Sequence, residues 1–369
     1  MWIKTIAICG LLASSAWAQP TLKDAYKGLF RVGAAVNQRQ TAEKDPRAAG
    51  IIAAQFNTIS PENVMKWGEI HPRVDGYNWA PADEYVNFGV KNHMFIVGHN
   101  LVWHSQTPAW VFQDDKGQKL TRDALLARMH DHIMTVVGRY KGKIGGWDVV
   151  NEALNEDGTM RKSQWYNIIG DDYIIKAFQF AHEADPACEL YYNDYSIENE
   201  PKRKGAVDII KKLQAAGVKV AAMGLQGHDS LEWPTLQQQE DTINAFAALG
   251  VKISISEFDI DPLPRQGAGN SADVSATQAG GAGLNPWVNG LPDAMQQTLA
   301  KRWAELFAIF VKHANVMSRV TFWGVTDGDS WKNDFPIRGR TNYPLLFDRD
   351  GKPKPAFDAV IQAAKGGKK

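Results

Sequence analysis

Lys252-Ile253-Ser254-Ile255-Ser256-Glu257-Phe258-Asp259 is an apolar, β-branched run that closes on two carboxylates. It reads as a strand, and beyond a long connection comes a helical pattern in which Leu299, Trp303, Leu306, Phe307, Phe310 and Val311 share one face. The same strand-then-helix unit recurs eight times. Gly28–Val36, Phe56–Ser60, His93–Asn100, Gly145–Glu152, Glu189–Asp194, Ala221–Gly227, Lys252–Asp259 and Arg319–Asp327 are the strand candidates. A second clear helix face joins Leu125, Leu126, Met129, Ile133, Val136, Val137 and Tyr140, while Pro201, Pro234 and Pro292 sit near helix starts. Eight such units predict an α/β fold, a (β/α)8 TIM barrel in a single catalytic domain. A doubly wound open sheet is the alternative, less well matched because no nucleotide fingerprint accompanies the units. A barrel places its chemistry at the C-terminal strand ends, and five of the eight candidates end in Asn, Asp or Glu.

The rest of the chain narrows the class. Its 369 residues carry 41 Lys+Arg and 41 Asp+Glu without a basic run, which argues against nucleic acid or an anionic membrane as partner. Residues 1–18, with Lys4, a short apolar core and small residues at Ala16 and Ala18, read as a secretory signal peptide. The core is too short to span a bilayer, so export to the periplasm or medium is expected. Cleavage after Ala18 removes Cys9 and leaves Cys188 alone, so no intrachain disulfide is expected. Residues 19–369 then form one domain, expected to be a monomer stabilised by its core.

Trp147-Asp148-Val149-Val150-Asn151-Glu152 matches Lys252–Asp259 in kind, with a Glu at the end of an apolar strand. Either Glu alone could be a solvent-facing rim residue. Two, across a mouth rich in Trp, are the apparatus of glycoside hydrolysis, in which one carboxyl supplies a proton and the other a lone pair. Together with Gly98–Trp110, Asn193-Asp194-Tyr195, Gln226-Gly227-His228 and Thr321-Phe322-Trp323-Gly324, these segments resemble glycoside hydrolase family 10, the endo-β-1,4-xylanases. The resemblance runs in order from about residue 22 to residue 365.

That resemblance implies a retaining (β/α)8 enzyme acting on xylan and xylo-oligosaccharides, with Glu152 as acid/base and Glu257 as nucleophile. No cofactor or metal is implied. His228 is expected against the nucleophile with Asp259 behind it, and Asn151 at the sugar 2-OH. Glu62, Asn63 and Lys66 are expected to bind the sugar two units from the cleavage point. By themselves, Ser60, Pro61 and Glu62 also read as a capped helix start. His99, Trp103, Tyr195 and Gln226 complete the expected binding surface, with Trp323 and Trp331 as aromatic walls whose bulk excludes glucose through its C6 hydroxymethyl group. A glucan-acting barrel glycosidase and a non-hydrolytic carbohydrate-binding barrel are the rival readings.

Two other signals carry less. His130-Asp131-His132 resembles a metal site, but residues two apart on a helix do not share a face. Gly267-Ala268-Gly269-Asn270-Ser271-Ala272 superficially matches a dinucleotide fingerprint yet opens no helix, and reads as loop. It belongs to a long connection, about Pro262 to Leu291, whose Trp287 is expected either to stack on a leaving-group xylose or merely to anchor the loop. Of 13 Trp, two fall in the leader, and most of the others are expected on the polysaccharide side, with only Trp303 on a core-facing helix.

Overall fold

The computed structural model describes residues 20–264, 278–281 and 283–367. The expected leader and the Gly267–Ala272 segment lie outside them. Eight parallel strands form the barrel: β1 Arg31–Val36, β2 Thr58–Pro61, β3 Phe95–Trp103, β4 Gly146–Asn151, β5 Glu189–Asp194, β6 Ala222–Leu225, β7 Lys252–Asp261 and β8 Met317–Phe322. Each pairs with the next, and β8 pairs with β1 to close the ring. The expected closed barrel is the one found.

Helices surround the barrel because one face of each is apolar. In Arg122–Arg139 the buried set includes Leu125, Met129, Ile133, Val136 and Val137, and Thr121 caps the helix by accepting from the Ala124 amide. Asp293–Lys312 buries Leu299, Trp303, Leu306, Phe307, Phe310 and Val311. Among the described residues no helix is long and apolar enough to cross a membrane.

Strand limits differ from the sequence reading where single residues turn the backbone. β1 starts three residues later than expected, beyond a turn through Gly28. β8 ends at Phe322 rather than Asp327, because Gly324 at φ +137 turns the chain out of the strand. The expected sixth strand, Ala221–Gly227, shortens to β6, Ala222–Leu225, and a separate three-residue strand, His228–Ser230, follows it and pairs with Asp259–Asp261 of β7. That pairing sets His228 beside the carboxylate end of β7.

The Trp expectation needs correcting. Trp67, Trp147, Trp165 and Trp303 are all fully buried, so core-facing Trp are not confined to one helix. Trp67 stacks on His132 at 3.6 Å between ring centroids, and Trp79 stacks on Tyr77 at 4.4 Å, within an aromatic cluster that also takes in His71 and Trp110. Position in a strand-to-helix segment does not fix which way a side chain points, and these rings point into the protein.

Candidate active site

The C-terminal ends of the strands enclose a cleft lined by Glu62, Asn63, Lys66, His99, Trp103, Gln106, Asn151, Glu152, Gln226, His228, Glu257, Trp323 and Trp331. Asp259 lies just behind it, fully buried. The structure therefore brings together all the expected site residues except Tyr195 and Trp287.

Glu152 follows β4 with φ +56, a left-handed turn that swings its side chain into the cleft. Its carboxylate accepts from Trp103 Nε1 at 2.8 Å, Gln226 Nε2 at 2.9 Å and Asn151 Nδ2 at 3.2 Å. Burial first and the nearby charge of Asp194 second push this carboxyl up to about 7, past the opposing hydrogen bonds of Gln226 and Trp103, with Glu257 adding to the rise.

Glu257 sits on β7 and accepts from Asn193 Nδ2 at 2.8 Å, while His228 Nε2 lies 3.3 Å from its other oxygen. His228 Nδ1 is 3.0 Å from Asp259 Oδ2, which also accepts from Trp331 Nε1 at 2.8 Å. Lys332 stands 3.8 Å from Asp259 Oδ1. Burial acts upward on Glu257 too, but the His228 hydrogen bond, the charges of His99 and His228, and Asn193 hold its carboxyl below the usual range. On His228, burial is outweighed by Asp259 and Glu257, which raise its pKa and favour an imidazolium that donates to both.

Asn193 is the functional residue that sequence reasoning left without a role. Its amide nitrogen donates both to Glu257 and, at 2.8 Å, to Asn151 Oδ1, which links the two carboxyl sites. Gly224 makes the room, since a Cβ there would stand 2.3 Å from Asn193 Oδ1. The available signal was an Asn at a strand end opposite a Gly on the next strand. Gln106 and His104 were missed as well; His104 Nδ1 lies 4.0 Å from Glu152.

At one end of the cleft Lys66 Nζ donates to Asn63 Oδ1 at 2.9 Å and stands 5.1 Å from the Trp103 ring centroid. Burial lowers the Lys66 pKa, opposed by the charges of Glu257, Glu62 and Glu152. His99 Nδ1 lies 2.9 Å from Asp148, and its ring meets Trp323 edge to face.

Tyr195 does not reach the cleft. Its hydroxyl accepts from Arg161 Nη2 at 2.9 Å and its ring lies beneath Lys202. Trp287 lines a separate groove with Trp233, Leu263 and Met295, next to the end of β7. His132 is buried in the aromatic cluster while His130 faces Glu183, so the two rings point apart. Among the described residues no group of three or more His, Cys, Asp or Glu is placed to hold a metal.

A buried, proton-retaining carboxyl thus faces a buried carboxylate held ionised, beside aromatic walls and neutral hydrogen-bonding groups. Such a pair can protonate a leaving oxygen while attacking the carbon that bears it. Against known proteins, the profile of the family "Glycosyl hydrolase family 10" matches residues 21–363. Endo-1,4-beta-xylanase A of Xylanibacter ruminicola is 45% identical over 351 residues, covering 95% of this chain and 95% of that protein. Beta-1,4-xylanase of Dictyoglomus thermophilum is 41% identical over 345 residues, 93% of this chain and 91% of that one. A solved structure of a GH10 endoxylanase retrieved from sugarcane soil metagenome aligns with TM-score 0.90 and 48% identity, over 92% of this chain and 99% of that chain.

Proposed function

The chain belongs to glycosyl hydrolase family 10, and from that premise we propose that it is an endo-1,4-β-xylanase that cleaves xylan and xylo-oligosaccharides with retention of configuration. The observation that carries this reading is the opposite treatment of two equally buried carboxyls. Glu257, held ionised, attacks the anomeric carbon while protonated Glu152 donates its proton to the leaving oxygen. Glu152, now a carboxylate, takes a proton from water, and that water displaces Glu257 from the sugar. His228 and Asp259 keep the nucleophile charged and aimed, and Asn151 and Asn193 hold the two carboxyls in register.

Glu62, Asn63 and Lys66 bind hydroxyls of the sugar two units away, and His99, Trp103 and Gln226 line the approach. Trp323 and Trp331 wall the cleavage position, where a glucose C6 group would clash. Trp287, in its groove beyond β7, stacks on the leaving-group end of a long chain. Tyr195 is better matched to a supporting place behind Glu152 than to the sugar. Residues 1–18 serve as an export leader, which N-terminal sequencing of the exported protein would test.

The test of the whole is reducing-sugar release from xylan and β-glucan in parallel, with product anomers followed by NMR. Preference for xylan with β-anomers formed first is expected. Preference for glucan, or α-anomers first, would overturn the reading.

A further inference from the structure

Behind Glu152, away from the cleft, the chain builds a closed polar scaffold. The Glu152 carbonyl accepts from Arg161 Nε at 3.2 Å, and the next amide, Ala153 N–H, donates to the Tyr192 hydroxyl at 3.2 Å. That hydroxyl in turn donates to Asp194 Oδ2 at 2.6 Å. Asp194 Oδ1 accepts from the Tyr195 amide at 2.9 Å and lies 3.1 Å from Lys202 Nζ. Lys202 and Asp194 are both fully buried, and the ammonium stands 3.3 Å from the Tyr195 ring centroid. None of these side chains lines the cleft.

A buried ion pair is weak evidence for stability, because desolvation offsets most of its attraction. Its location is more informative. Asn151 pairs with Asn193 across β4 and β5, and the Glu152 amide donates to the Asn193 carbonyl at 2.9 Å. Asp194 is therefore the next residue on the neighbouring strand, about 5 Å away at the backbone.

We propose that Asp194, held between Lys202 and Tyr192, is a positioning residue for the hydrolysis: its fixed charge beside Glu152 keeps the proton on that carboxyl, and its bond through Tyr192 to Ala153 aims it. The proposal rests on reading Glu152 as the acid. Other charged or titratable groups face Glu152 as well: Glu257 from β7, Lys66 from the segment after β2, and His104 at 4.0 Å from the segment after β3. Asp194 itself is faced by Lys202 and by Tyr173, and Lys202 also meets Glu156 at 3.6 Å and the charge of Glu198. Of the two carboxylates that raise Glu152, Asp194 acts more strongly than Glu257. Their charges also differ in duration. When Glu257 bonds to the sugar it becomes a neutral ester and its repulsion disappears, whereas that of Asp194 persists through both steps.

Asp194→Asn keeps the size and an oxygen for Tyr192 while removing the charge. The Glu152 carboxyl is followed by 13C NMR titration, with Glu152→Gln to assign the signal, alongside the pH profile of kcat/KM on a xylo-oligosaccharide. The Glu152 midpoint is expected to fall by about one pH unit, with the alkaline limb following and the acidic limb unmoved. An unmoved midpoint overturns the proposal. A midpoint that moves without the limb overturns instead the assignment of Glu152 as the acid. Tyr192→Phe keeps the charge but cuts the anchor, and remains testable if Asp194→Asn does not fold. Its kcat/KM, which reports the first step, should drop about tenfold or more on the oligosaccharide and much less on an aryl xyloside whose activated leaving group needs no proton. Equal losses on both substrates would overturn the aiming role.

Discussion

Glu152 and Glu257 line one cleft, 4% and 5% exposed, yet one is pushed up to about 7 and the other is held below the usual carboxylate range. Burial is nearly equal and cannot separate them. Their company does. Glu152 meets the neutral donors Trp103, Gln226 and Asn151, with the carboxylates of Asp194 and Glu257 nearby. Glu257 meets His228, itself backed by Asp259, Trp331 and Lys332. The difference teaches that, on the proposed roles, this fold would make an acid and a nucleophile from identical side chains through the charge of the groups packed behind each.

The most severe way to break the comparison is to remove its ionised half. Glu257→Ala should lower the initial rate on xylan by on the order of 10⁴-fold or more, since no other group there can bond to the sugar. Removing the protonated half should cost less. Glu152→Ala is expected to lose about 10²–10⁴-fold in rate on xylan, measured against a small loss in kcat/KM on an aryl xyloside with an activated leaving group, where only the water-activating second step still needs Glu152.

The pH profile of the intact enzyme follows from the same contrast. On the proposed roles activity requires Glu152 protonated and Glu257 ionised, so it should fall on the alkaline side near pH 7. On the acid side it should persist below about pH 4.3, the ordinary value for Glu. His228→Gln sharpens this test. Without the imidazolium, the Glu257 pKa rises, and the acidic limb should move up by about one unit while the alkaline limb stays in place. Movement of both limbs together would show that His228 does not act through Glu257. The smallest effect is expected for Trp331→Phe, which removes one hydrogen bond to Asp259; a loss of about fivefold in kcat/KM is expected from steady-state kinetics.

Much of this architecture could be read along the chain. The barrel was legible because eight apolar runs alternate with helical patterns, each a local property of consecutive residues. The placement of Glu152 and Glu257 in one cleft was legible because each follows such a run. Strand limits were less so, since β8 stops where Gly324 turns the chain. Asn193 escaped because its role depends on three strands meeting and on the space left by Gly224. Trp67 and Trp165 misled because loop position does not reveal direction, and both turn inward to pack. Tyr195 was placed at the sugar, but its ring lies beneath Lys202 and its hydroxyl meets Arg161.

The central claim, that Glu257 bonds to the sugar while Glu152 handles the proton, is tested most directly by trapping the intermediate. The enzyme is incubated with a 2-deoxy-2-fluoro xylobioside bearing an activated leaving group, then digested and mapped by mass spectrometry. One fluoroxylobiosyl unit attached to Glu257 is the predicted result. Attachment to Glu152 or elsewhere, or turnover with inversion and no adduct, would contradict the account.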